Sequence, residues 1–380
     1  MRRIAVIDTG SNTIRLVVYD VDVPRKSLNK NRERAKESGG TRKIADIGHL
    51  PSGFVYKQIV NMKKTAGLSN YVEPASELGK NKVCTGQSHI SNKVCAEQDG
   101  SISNKCSDAR LVFSNDGVDK ASRVLAQLIQ CANNLHCDKT YIFATAVLRN
   151  VSNSAQAISN IEARIGKKID LLSGFEEATL GFFGAFAGKQ VTEGATLIDL
   201  GGGSCEITRC MLDLRLEGEI NLFSTLQTTS LKIGCVSAYS QFVGRIFPDR
   251  EACEKIREAT RGELDASGMG CSICSTIENI AYGIGGSIRA IAKIMRELNG
   301  ANKTPKAIYR SDILNILEQL HADPDSFAHT IVRAVPDRIH SVIPGSLIIL
   351  EVMERGGIES INICKKGLRE GYLLSKVLGT

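Results

Sequence analysis

Two short segments set a carboxylate beside glycine and small polar residues: Asp8-Thr9-Gly10-Ser11-Asn12-Thr13 and Asp199-Leu200-Gly201-Gly202-Gly203-Ser204. In each, an apolar stretch ends on the aspartate and glycine then lets the backbone turn tightly. Turns without bulky side chains expose successive N–H groups, which form a nest for phosphate oxygens. A carboxylate at the strand end can hold Mg²⁺ beside those oxygens, directly or through water. One such turn joins many ordinary hairpins. Two with the same flanks suggest facing hairpins that grip a phosphate chain from both sides. Neither segment is a Walker A loop, which needs Gly-Lys-Ser/Thr, and neither matches G-x-G-x-x-G.

Three further segments carry chemistry of the same kind. Gly283-Ile284-Gly285-Gly286-Ser287 is a glycine turn between a strand and a helix amino terminus, which suits an anion and also suits plain strand-to-helix packing. Ser173-Gly174-Phe175-Glu176-Glu177-Ala178 places two carboxylates in the first turn of a helix. They stabilise the macrodipole there, or one of them projects into a cleft as a general base that takes a proton from water. Arg149 follows the strand-like Ala144-Thr145-Ala146-Val147-Leu148, where it makes a bidentate phosphate contact or remains a surface charge.

The elements that must position these residues follow from hydrophobic period and capping signals. Residues 4–7 and 14–19 read as two strands joined by the first glycine turn, and 196–200 with 206–210 repeat the arrangement. Ser114 caps a helix with apolar positions Val118, Ala121, Leu125, Leu128, Ile129 and Ala132. A strand at Tyr141–Ala144 follows, then a helix capped by Ser152 or Asn153 and ended by Gly166. Ile169–Leu172 is a strand leading into the helix that opens with Glu176-Glu177. Later come a helix from about Pro248 to Ala266, a strand and turn at 280–286, and a helix from Ser287 to Leu298. Two more helices precede Pro344, and a strand near Ile361 leads to a closing helix from Gly367. Strands alternating with helices indicate an α/β protein, and the repeated Asp-Gly hairpin suggests two related halves.

Composition bounds the rest. With 380 residues, 42% hydrophobic and 23% charged, the chain suits two or three folded domains and not a disordered polymer. No apolar run approaches the ~18 residues of a membrane helix. Ile4–Ile7 is too short for a signal-peptide core, so a cytoplasmic protein is expected, with its 12 cysteines reduced. The net charge of +7 comes almost wholly from residues 25–43, with eight Lys or Arg against two Glu. That stretch reads as a solvated insert, or else as an arm that touches a polyanion. At 5% aromatic residues and no Trp, stacking platforms for nucleic acid are scarce. Cys84, Cys95 and Cys106 recur in an Asn-Lys repeat with His89 between two of them, a spacing unlike that of zinc ligands. Cys271-Ser272-Ile273-Cys274 has no second pair near it.

Taken together, IAVIDTGSNTIRLVV, FATAVLRN, LLSGFEEA, TLIDLGGGSCEIT, YGIGGSIRAI, IPGSLIILE and GLREGYLL occur in one order between Ile4 and Leu374. In that order they resemble the exopolyphosphatase / guanosine pentaphosphate phosphohydrolase family of the actin–Hsp70–sugar-kinase superfold. The resemblance implies a two-lobed, ribonuclease H-like α/β fold with an interlobe cleft. Residues 1–175 would form the first lobe, with insertions at 25–55 and 74–112 and a closing helix at 365–380; residues 176–364 would form the second. It implies a Mg²⁺-dependent exopolyphosphatase with Glu177 as base, Asp8, Asp199 and Glu206 at the metal, and Arg149 on phosphate. Gly10, Ser11, Asn12, Thr13, Gly201, Gly202, Gly203, Ser204, Gly285, Gly286 and Ser287 would form the phosphate loops. Removal of the 5′ phosphate of guanosine pentaphosphate is the alternative, with a kinase or a non-catalytic sensor of the same superfold behind it. No nucleic-acid or membrane partner is implied, and a homodimer is admitted. Cys205 stands where Thr is commoner, and the chain resembles the short form without helical carboxy-terminal domains.

Overall fold

The computed structural model describes residues 1–22, 55–75, 111–187, 194–210, 226–268 and 279–378. The basic stretch 25–43, the cysteine repeat 81–106 and the Cys271–Cys274 pair lie outside the described residues.

Both faces of the central strands are buried, which is why they read as nearly unbroken apolar runs. β1 (Arg2–Thr9) and β2 (Thr13–Asp22) form the first hairpin, and β3 (Val55–Thr65) pairs with β2. β4 (Val72–Pro74) and β5 (Leu111–Phe113) make a separate ladder, so both ends of the second expected insertion fall on strands. Next come α1 (Asn115–Asn134), β6 (Lys139–Ala144), the single turn α2 (Ala146–Arg149), α3 (Ser154–Ile165), β7 (Asp170–Leu171) and α4 (Gly174–Phe186). The second sheet begins with the hairpin β8 (Ala195–Leu200) and β9 (Cys205–Cys210), then β10 (Leu226–Leu231). After α5 (Cys235–Phe242) and α6 (Arg250–Ala266) follow β11 (Ile280–Ile284), α7 (Gly285–Leu298) and β12 (Ala307–Tyr309). The remaining elements are α8 (Arg310–Ala322), α9 (Pro324–Ala334), α10 (Val342–Gly356), β13 (Ser360–Ile363) and α11 (Leu368–Leu378).

The duplication runs deeper than the hairpins. The first sheet has the order β3-β2-β1-β6-β7 and the second β10-β9-β8-β11-β13, with β12 added at its edge. In both, the first three strands pair antiparallel and the next two join parallel. Ala5, Ile7 and Leu16 face a core shared with Leu125 and Leu128 of α1 and Ile161 of α3. Ile198, Leu200 and Ile207 face a larger core built with helices α6 to α10. Ser114 caps α1 by accepting from the Gly117 N–H, and Gly166 ends α3 at φ 64°. Asn153 precedes α3 without capping it through its side chain, which bonds the Phe113 backbone instead. No described helix is long and apolar enough to cross a membrane.

α4 joins the two sheets. Every residue from Glu177 to Phe186 is buried, as expected of a helix apolar all round. Leu180 and Phe183 pack with Ile4, Val6 and Val17 under the first sheet, while Phe182 and Phe186 pack with Leu197 and Ile284 under the second. α11 lies against α4 at backbone distance. A Cβ on Gly184 would sit 1.8 Å from the Gly367 carbonyl, and one on Gly371 would sit 1.8 Å from the Leu180 carbonyl.

This contact makes a stability prediction with an internal control. Gly184→Ala should lower the thermal midpoint, at a cost of about 1–3 kcal/mol or more, because backbone cannot yield. Gly262→Ala, at an exposed position of α6 with nothing within 4 Å of the new methyl, should raise it slightly, a gain of up to about 1 kcal/mol. Thermal denaturation of the two variants beside the parent checks both signs.

Candidate active site

The two hairpins close in the same way. The Gly10 N–H donates to the Thr13 carbonyl at 3.2 Å and the Gly201 N–H to the Ser204 carbonyl at 3.0 Å. Their tips confront each other: a Cβ on Gly202 would lie 2.9 Å from the Ser11 Cβ, and one on Gly203 would lie 3.0 Å from the Ser11 Oγ. α5, which no sequence signal marked, props the second hairpin from behind. Its Cys235 N–H donates to Gly201 O, and the Val236 and Ser237 N–H groups donate to Gly202 O. Those are helix amino-terminal donors that would otherwise have no partner.

A cavity of about 140 Å³ opens between the hairpins. Asp8, Gly10, Ser11, Asn12 and Thr13 line one side, and Asp199 with Gly201, Gly202, Gly203 and Ser204 line the other. Gly285, Gly286 and Ser287, where α7 begins, line a third side, and Glu177 reaches it from α4. Ser173 sets that approach by a capping box: its hydroxyl accepts from the Glu176 N–H while the Glu176 carboxylate accepts from the Ser173 N–H. Glu176 is thus spent on the cap, which leaves Glu177 as the inward carboxylate.

Arg149 and Glu206 do not line the cavity. Arg149 contacts protein groups: Nη1 donates to Glu177 Oε2 at 2.6 Å and to the Leu172 carbonyl at 2.9 Å. Its Nη2 lies 3.7 Å from Glu206 Oε1. Glu206 also accepts from the Ser230 hydroxyl at 2.8 Å. A guanidinium turns toward the nearest buried carboxylates, and two of them flank this one.

The electrostatics are those of crowded acids meeting crowded bases. Burial, followed by the charge of Glu206, pushes the Glu177 carboxyl well above the usual range, against the pull of Arg149. The same two causes raise Asp199 to about 7. Asp199 and Glu206 are direct partners in the β8–β9 register, whereas Asp8 faces Arg15 across β1–β2. Like charges directly opposite each other destabilise a sheet, so the second hairpin carries an unfavourable acidic pair. Among the described residues no cluster of three or more His, Cys, Asp or Glu forms a metal cage by itself. Mg²⁺ binds through one or two carboxylates together with phosphate oxygens and water, and Asp8 and Asp199 at the cavity wall, with Glu206 behind, fit that demand.

Arg15, Arg289, Arg338, Lys365, Lys366 and Arg369 also line the cavity, and sequence reasoning missed all six. Burial lowers Arg289 to about 10, with Arg369 and Arg15 adding to the effect. A signal existed for two of them, since Ile-Arg follows both Thr13 and Ser287 directly after glycine turns. Arg338 is placed by tertiary structure alone: neighbouring Asp337 forms an ion pair with Lys63 on β3.

Comparison with known proteins agrees with this architecture. Residues 91–380 match the family described as Ppx/GppA phosphatase. Exopolyphosphatase 1 of Mycobacterium leprae is 21% identical over 281 residues, covering 72% of this chain and 78% of that protein. Guanosine-5'-triphosphate,3'-diphosphate pyrophosphatase of Pseudoalteromonas translucida is 26% identical over 271 residues, covering 70% of this chain and 50% of that protein. The crystal structure of an exopolyphosphatase from Cytophaga hutchinsonii superposes with a TM-score of 0.65 at 16% identity, covering 100% of this chain and 99% of the other. The fold is therefore the two-lobed α/β architecture of the actin–Hsp70–sugar-kinase kind. With most of its length matched and its hairpins facing across one cleft, the chain belongs to the Ppx/GppA phosphatase family.

Proposed function

We propose that this protein hydrolyses phosphoric anhydrides, releasing terminal orthophosphate from inorganic polyphosphate with water as the acceptor. One observation carries the reading: a buried carboxylate, two confronting glycine hairpins and six cationic side chains share one cavity. No aromatic side chain lines it among the described residues. A linear polyanion answers such a lining better than a nucleobase, which calls for a stacking surface. The same grip serves the 5′ phosphate of guanosine pentaphosphate, and the relative from Pseudoalteromonas translucida carries that substrate in its name.

In the mechanism, backbone N–H groups of both hairpins and of the α7 start hold the terminal and penultimate phosphates. Phosphoryl transfer passes through a loose transition state, so positioning and charge neutralisation dominate. Asp8 and Asp199, with Glu206 behind them, would hold Mg²⁺, which would neutralise phosphate charge when bound. Glu177 accepts the proton of the attacking water. Arg149 donates to Glu177 and fixes the direction of its carboxylate.

Three outcomes test this reading. Glu177→Gln should lower phosphate release from polyphosphate by about 10²–10⁴ while substrate binding persists. Glu177 works only as the carboxylate and its proton affinity is raised, so kcat/KM should climb as pH rises above the ordinary carboxylate range. That climb should be missing from the residual activity of Glu177→Gln. Finally, phosphate release should occur with no acceptor present, should fall on chelation of Mg²⁺, and should be faster from polyphosphate than from guanosine pentaphosphate. A requirement for a sugar or carboxylate acceptor would make the protein a kinase.

A further inference from the structure

We propose that Arg369 is a phosphate-binding residue of the cleft. The assignment rests on the phosphate-chain reading above and adds to it a side chain from the first turn of α11. Arg369 lines the same cavity as both hairpins. Its Nη1 donates to Asp8 Oδ2 at 2.9 Å. Its Nε is buried and has no hydrogen-bond partner among the described residues. A guanidinium presents its N–H groups in a rigid fork that matches the oxygens of a phosphate. A buried donor left without an acceptor is costly, and a phosphate oxygen is the acceptor this cavity is lined to receive.

Pairing with Asp8 does not account for the whole side chain, because it engages Nη1 and leaves the buried Nε without an acceptor among the described residues. Arg15 and Arg289 line the same cavity as Arg369. Guanidinium groups gathered around one cavity repel one another, so the arrangement favours a polyanionic ligand. The fold also invests in the position of Arg369. The carboxylate of its neighbour Glu370 accepts from the Tyr19 hydroxyl at 2.7 Å and from the Gly367 N–H at 2.8 Å, both buried. The start of α11 is thereby tied to β2, the strand that leaves the first hairpin.

The test measures binding with turnover blocked. Inorganic tripolyphosphate is titrated calorimetrically into full-length Glu177→Gln protein, with and without Mg²⁺, and into the same protein carrying Arg369→Gln or Arg369→Lys. Arg369→Gln should weaken binding by about tenfold, the loss of a charge-assisted hydrogen bond. Arg369→Lys keeps the positive charge beside Asp8 but loses the fork, and should weaken binding by about threefold. If the glutamine variant does not fold, the lysine variant decides alone. Binding by the variants within about twofold of their parent overturns the assignment to Arg369. Absence of binding by the parent itself, under both conditions, instead overturns the phosphate-chain reading of the cleft.

Discussion

Burying Glu177, Asp199 and Glu206 close together is the constraint on which the rest of the molecule turns. An ionised carboxylate out of water is costly unless a cation or several donors attend it. Arg149 attends two of the three, donating to Glu177 and lying near Glu206. Ser230 takes up part of the remainder. Asp199 is left with its proton affinity raised to about 7. The acids are held there because α4, β8 and β9 are each pinned by apolar packing on more than one side. Hydrophobic burial thus sustains an electrostatically unfavourable wall, one that attracts positive charge and repels negative.

The two halves share a strand order but divide the chemistry. At the corresponding position of each hairpin an aspartate meets its cross-strand partner: arginine for Asp8, glutamate for Asp199. The first hairpin is therefore locally balanced, and the second carries surplus negative charge. The shared strand order supplies the geometry, and a single opposite residue sets the sign of each side. A cleft with one balanced wall, one acidic wall and a basic surround can hold a cation and a polyanion together.

Much of this was legible in the residues, and what was hidden has physical causes. Asp8, Asp199 and the glycines after them announced both hairpins because a buried strand ending on a carboxylate is a costly pattern to keep. β3 gave no signal, since its Tyr-Lys-Gln-Ile-Val-Asn-Met-Lys-Lys run is an edge strand with none of its residues buried, and lysines there protect an open edge. α10 was obscured by Pro344, which falls in its first turn, where a missing N–H costs nothing. Arg149 was identified as a site residue, but the direction of its guanidinium depends on Glu177 and Glu206, which arrive from other elements. Arg338 and Arg369 belong to the cleft only through tertiary structure.

The seating of α11 bears on how the chain acquires its shape. Tyr19 and Glu370 are 351 positions apart, and Asp8 and Arg369 are 361 apart. Ile4, Val6 and Val17 on the first strands share their core with Tyr372, Leu373 and Leu374. During synthesis the earliest-made sheet must therefore wait, with the part of that apolar face not covered by α4 open, until the residues of α11 have been added. Loop closure over such spans is entropically slow. The cleft itself is complete only once α11 is seated, because Arg369 at its start lines the same cavity as both hairpins.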